Sequence, residues 1–181
     1  MLHQAIGGSF QVVQSSGSKL WRTSLAAENS LKESKRQNDL QTKIIRIGPS
    51  ISEDCCWHPS TIWIGIGCER NTSESVLERA LKRALKIKNI AIESIAGIAS
   101  ISIKSDEENL LTFVSKYKWP IRFYSSEELS KVKVPNPSQK VKDSIGTFSV
   151  AEASALLAAN REKDLLLEKQ IVSSNSDEIG A

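Results

Sequence analysis

The strongest constraint in this chain is the junction Thr61-Ile-Trp-Ile-Gly-Ile-Gly67, an apolar run that ends in glycines and leads directly into a helical stripe. A short apolar run of this kind reads as a buried strand entering a tight turn. The spacing then predicts a helix over 72–88. Val76, Leu77, Ala80, Leu81, Ala84 and Leu85 repeat there at three- and four-residue steps and form one apolar face. Asn71 and Glu74 have the spacing of a capping pair. Glu74 and Glu78 lie early in the helix, and Arg83, Lys86 and Lys88 lie late, as the helix dipole favours.

The same alternation continues downstream. A short helix is expected over 93–99, a strand near 100–104, and an amphipathic helix over 106–117 carrying Leu110, Leu111, Phe113 and Val114. Pro120 opens a strand, Ile121-Arg-Phe-Tyr124. Ser125 and Glu128 have capping-box spacing for a short helix to about Lys131. Val134-Pro-Asn-Pro-Ser138 must be extended, because each proline disfavours helix in the residue before it. A further short helix stops near Gly146, Ser149 and Glu152 box a helix running to Ala159, and Leu165–Lys169 resembles a last strand. Alternating strands and helices imply an α/β fold, a mostly parallel sheet with helices packed on it. This domain is assigned to residues 61–181.

Residues 1–60 read differently, as an irregular partial segment and polar linker. Phe10–Gln14 and Ile44–Ile47 are short strands, but the run from Glu28 to Lys43 has only two leucines and cannot offset its own ordering entropy. Two such strands do not make an independent core. Cys55-Cys56-Trp57-His58 falls in this segment. Adjacent cysteines seldom reach one tetrahedral ion, and the usual zinc spacing of about two to four intervening residues is absent, so no metal site is expected.

Charge removes a function class. The chain has 24 Lys+Arg and 21 Asp+Glu, net +3, with acids and bases interspersed. A nucleic-acid binder needs a basic face, so no nucleic-acid partner is expected. No apolar stretch approaches the ~20 residues of a membrane helix, and the N-terminus has no basic start or apolar signal core. A cytoplasmic protein with no membrane partner is the expectation. Three cysteines, an odd count without an export signal, argue against a disulfide framework.

Three places could carry chemistry. At Gly65-Ile-Gly67-Cys68-Glu69-Arg70-Asn71-Thr72, glycines let a ligand approach the backbone, the helix start offers free N–H groups, and Arg70 and Thr72 add donors for a carboxylate or phosphate. The bland alternative is a sharp strand–helix turn with its cap. Cys68 could be a nucleophile or simply a small buried side chain. Lys104 and Asp106 stand at a strand end, where Lys104 could pair with an acidic ligand and Asp106 could hold a proton or water; equally, Asp106 and Glu107 are acids placed for a helix start. Asn136 and Ser138 could hydrogen-bond a substrate from their rigid loop, or Ser138 could only cap the next helix. Glu152 is explained by its capping box. The physics of the residues ends at an α/β domain with an anion-friendly turn and leaves the catalytic residues unknown.

Taken in order, the segments resemble the C-terminal domain of the CbiG family of cobalamin biosynthesis, which the stand-alone CobE proteins also resemble. The matching pieces are Gly65–Thr72, Ile103-Lys-Ser-Asp-Glu107, Pro120–Leu129, Val134–Ser138 and Gly146-Thr-Phe-Ser-Val-Ala-Glu-Ala153, with a weaker likeness of Phe10–Trp21 to that family's central region. Asn71 stands where the family more often has glycine, and Phe148 where it has proline. The resemblance implies a cobalt-precorrin-5A hydrolase, which opens a ring-A lactone and releases acetaldehyde. A non-catalytic corrinoid-binding accessory domain is the alternative, and outside this pathway the runner-up is a generic anion-binding module. The partner implied is a cobalt-corrinoid intermediate that brings its own cobalt, so the protein needs no cofactor. A separate N-terminal hydrolase domain or neighbouring corrin methyltransferases are further candidates. The family's N-terminal domain has no counterpart here and the chain stops near an expected further strand, so a fragment or split enzyme is expected.

Overall fold

The computed structural model describes residues 10–17, 43–161 and 164–173. The polar run over 28–42, His3 and the tail after 173 lie outside the described residues.

Two three-stranded sheets, each entirely parallel, form the framework. The first orders β1 (Phe10–Gln14), β2 (Lys43–Ile47) and β3 (Cys55–Trp57) side by side. The cysteine segment read as linker is therefore an edge strand, paired through Ile45–Cys55 and Ile47–Trp57. His58 Nδ1 bonds the Gly48 carbonyl at 2.7 Å, which ties the end of this strand to the end of β2. The sheet meets the rest of the chain through Ala91 N–H on the Pro49 carbonyl (2.8 Å) and Ile51 N–H on the Asn89 carbonyl (2.9 Å).

The second sheet orders β4 (Ile62–Gly65), β5 (Ile95–Ile101) and β6 (Ile121–Tyr124). Helices α1 (Glu74–Lys88) and α2 (Glu108–Lys116) make the crossovers and pack together. Their Leu77, Leu81, Leu110, Phe113 and Val114 close over Ile98 of β5, with Ile64, Ile121 and Phe123 from the sheet. Helix α3 (Ser126–Ser130) caps the end of β6, helix α4 (Gln139–Ile145) follows, and α5 (Val150–Ala158) lies against β4 and β5. Seven of the nine α5 residues are buried, which is why the helix is built of alanine, serine and leucine without a polar stripe.

The expected α/β fold with a mostly parallel sheet is what the chain adopts, and three local expectations change. The helix expected over 93–99 is a short 3-10 turn, Ile92–Ser94, followed by strand β5. Six of its seven residues are buried, so the strand shows no alternation and its small residues imitate a helix. Ser102–Lys104, expected as strand, is a second 3-10 turn. Leu165–Lys169 forms no strand. Among the described residues no helix is long and apolar enough to cross a membrane.

Candidate functional site

In an open parallel sheet the ligand crevice lies beyond the C-terminal strand ends. Those ends, after Gly65, Ile101 and Tyr124, collect the candidate residues. Gly65 and Gly67 sit under the first turn of α5. A Cβ on Gly65 would stand 1.8 Å from the Ala151 carbonyl oxygen, and one on Gly67 would stand 3.2 Å from Val150 Cβ. Here the backbone that approaches the first glycine closely is the protein's own helix. Ser100 Oγ donates to the Ile66 carbonyl at 2.7 Å and fixes the turn from below.

Helix α1 begins at Glu74, two residues later than the spacing suggests, and Ser73 at its N-cap makes no side-chain cap bond. The Asn71–Glu74 pair does not form. Asn71 takes φ 59°, the left-handed region that glycine enters freely and asparagine tolerates, which accounts for glycine being usual at this position in the resembling family. Its N–H donates to Glu107 Oε1 at 2.7 Å, while Thr72 Oγ1 donates to the Glu69 carbonyl at 2.9 Å.

The two cations of the site have opposite situations. Lys104 is 6% exposed and Glu107 is 4% exposed, and they form an ion pair at 3.6 Å. A ligand carboxylate would have to displace an internal one to reach Lys104. Arg70 is exposed; it donates to Asp106 Oδ1 at 2.9 Å and to the Ile103 carbonyl at 3.1 Å. Its hydrogen bond to Asp106 holds that carboxyl below the usual carboxylate range. Cys68 packs against the core beneath α1. Burial pushes its thiol up, against a smaller opposing pull from Lys104, so the sulfur keeps its proton at neutral pH and is a poor nucleophile.

The second half of the site is the loop Val134–Ser138, drawn to the start of α5 by Ser138 N–H on the Phe148 carbonyl at 2.9 Å. Ser138 Oγ accepts from Val141 N–H and caps α4. Asn136 bonds Glu152, which sequence reasoning set aside. Ser149 Oγ does accept from Glu152 N–H, but the Glu152 carboxylate does not return to the cap. It is 2% exposed and accepts from Asn136 N–H (3.1 Å), Asn136 Nδ2 (2.8 Å) and Lys169 N–H (3.1 Å). Glu152 and Lys169 were missed because their partners lie far off in sequence, whereas Glu107, read as an acid placed for a helix start, instead pairs with Lys104 three residues before it and accepts from the distant Asn71 N–H. The one available signal was two Ser-x-x-Glu spacings, at Ser125 and Ser149, of which only the first is a complete box.

The structure thus brings the 65–72 turn, the 104–107 corner and the 134–138 loop to one end of the second sheet, with the start of α5 between the first and the last. It offers an exposed guanidinium, neutral hydrogen-bonding groups and two buried carboxylates already in use. His58 lies apart from these groups, just after β3, on the Gly48 carbonyl.

Known proteins share this unit. A cobalt-precorrin-5A hydrolase of Priestia megaterium is 32% identical over 114 residues, 63% of this chain and 30% of that protein. Protein CobE of a Sinorhizobium species is 31% identical over 115 residues, 62% of this chain and 74% of CobE. The crystal structure of a cobalamin biosynthesis protein G homolog from Sulfolobus solfataricus has the same fold, with a TM-score of 0.50 at 24% identity over 76% of this chain and 44% of that one. The chain spans under a third of the hydrolase's length but about three quarters of CobE. The family described as the cobalamin synthesis G C-terminus matches residues 62–177, from the first residue of β4 through the segment bonded to Glu152, and the chain belongs to that family.

Proposed function

We propose that this domain acts in cobalamin synthesis by binding a carboxylate-bearing cobalt-corrinoid intermediate at the C-terminal end of its second sheet. In this reading it is the C-terminal part of a cobalt-precorrin-5A hydrolase. The observation that carries the reading is Arg70. Its guanidinium is exposed, anchored on one side by the Ile103 carbonyl, and matched on the other by Asp106, an exposed carboxylate that a ligand carboxylate can replace. The cobalt belongs to the substrate, and no protein cofactor is invoked.

Lactone opening requires water delivered to the carbonyl and stabilisation of the oxyanion. Arg70 and the polar turn suit the binding of peripheral carboxylates, whereas the protonated Cys68 and the fully engaged Glu107 and Glu152 are unsuited to act as base. A second reading follows from that and from the extent of the match to CobE: a corrinoid-binding accessory domain without its own catalysis. Titration with cobalt-precorrin-5A and an acetaldehyde assay separate the two. Binding with acetaldehyde release supports the hydrolase, and binding without it supports the accessory domain. Arg70→Ala is expected to weaken binding about tenfold, the loss of one charge-assisted contact. No binding, or no effect of Arg70→Ala, would overturn the site.

A further inference from the structure

Asn136 is held by more bonds than a loop residue needs. Its backbone N–H and side-chain Nδ2 both donate to the buried Glu152 carboxylate, and Nδ2 donates again to Glu168 Oε2 at 2.8 Å. Its carbonyl accepts from Lys169 Nζ at 3.1 Å, while Lys169 N–H donates to Glu152 Oε1. An ionised carboxylate only accepts, so the amide atom lying between two of them must be the amino group, which settles the orientation of the side chain. Every polar atom of Asn136 is then occupied except Oδ1, which has no partner among the described residues.

We infer that Glu152 is a positioning residue for the ligand site: its buried carboxylate, seconded by Glu168 and Lys169, fixes Asn136 so that the amide oxygen Oδ1 faces the occupant as a hydrogen-bond acceptor. The inference rests on the proposed ligand site at this end of the sheet. It divides the labour there. Arg70 takes a carboxylate, and Asn136 takes a donor, a hydroxyl or a water, since two carboxylates beside it repel an anion. It also gives the irregular 164–169 segment a purpose, as the strap that closes the network from outside.

The test is a double-mutant cycle on affinity for cobalt-precorrin-5A, because two residues acting through one another are non-additive. Glu152→Gln keeps size and one acceptor but turns an amino group on an N–H donor. It is expected to weaken binding about tenfold in the native background and to have no further effect in Asn136→Ala. Equal losses in both backgrounds, or no loss in either, would overturn the inference. Should Glu152→Gln fail to fold, the exposed Glu168→Gln goes through the same cycle with the same criteria. Amide exchange at Asn136 and Lys169 decides the matter without ligand. Exchange accelerated at least tenfold at these N–H groups in the Glu152→Gln variant, or at the Asn136 side-chain amide in Glu168→Gln where that variant replaces it, supports the network that fixes Asn136, and unchanged protection overturns it whether or not corrinoid binding is seen.

Discussion

Replacing Gly65 by alanine puts a methyl group where there is no room for one. The added Cβ would stand 1.8 Å from the Ala151 carbonyl oxygen, 2.7 Å from its carbon and 2.8 Å from Ser154 Oγ, whereas real Cβ contacts stay beyond 3.0 Å. Two of those three atoms are backbone, so no rotamer change relieves the clash and α5 must lift by about an ångström. That helix carries Ala153, Ser154, Leu156 and Ala158, all nearly or fully buried, and Ser154 Oγ donates to the Ala99 carbonyl at 3.2 Å. A gap of about 0.5–1 Å forfeits a quarter to a half of each contact. Overpacking costs about 1–3 kcal/mol and more where the backbone must move, offset by about 0.5–1 kcal/mol from removing glycine's freedom in the unfolded chain. The expected net loss for Gly65→Ala is about 3 kcal/mol. Gly67→Ala is the control. Its Cβ meets Val150 Cβ at 3.2 Å and next nearest atoms at 3.6 Å, and neither glycine has a positive φ, so a shift of a few tenths of an ångström accommodates it within about 0.5 kcal/mol. Urea unfolding followed by circular dichroism should move the Gly65→Ala midpoint down by about 1–2 M at unchanged slope. If Gly65→Ala is as stable as the native chain and loses only ligand affinity, the glycine serves the ligand and the packing argument is wrong.

Glu107→Gln removes one member of a buried pair and leaves Lys104 uncompensated, and is expected to cost about 3 kcal/mol; the double change Lys104→Met with Glu107→Leu should restore most of it. Thermal unfolding of both variants checks this, and a double variant no better than the single one would refute it. Cys68 keeps its proton in the folded state at a pH where the unfolded chain has lost it, so folded stability is full below the ordinary thiol range and falls as pH rises through it. Urea midpoints between about pH 8 and 10 should decline in the native chain and less steeply in Cys68→Ala, while the exposed Cys55 reacts with a thiol reagent well before Cys68. A pH slope unchanged by Cys68→Ala would show that the burial argument fails.

The residues by themselves determined the parts of this protein that depend on one side chain meeting either water or core. Strand β4, the stripe of α1, the amphipathic α2 and the capped α3 are all written as local periodicity or local caps, and they specify an α/β domain before any coordinate is known. Tertiary structure decided whatever depends on a pair. Ser125-x-x-Glu128 and Ser149-x-x-Glu152 have the same spacing. The first closes a complete box on its own helix, because Glu128 is exposed and has no competing hydrogen-bond donor among the described residues; the second turns its buried carboxylate away from its own cap, because packing brings Asn136 and Lys169 donors to it. In the same way Lys104 and Arg70 are both cations at strand ends, yet one is buried on Glu107 and the other exposed beside Asp106. β5 is buried at six of its seven positions, so its small apolar residues carry no period to read. Local sequence encodes exposure residue by residue, whereas partners, and with them the chemistry left available at the site, follow from which elements the core packs together.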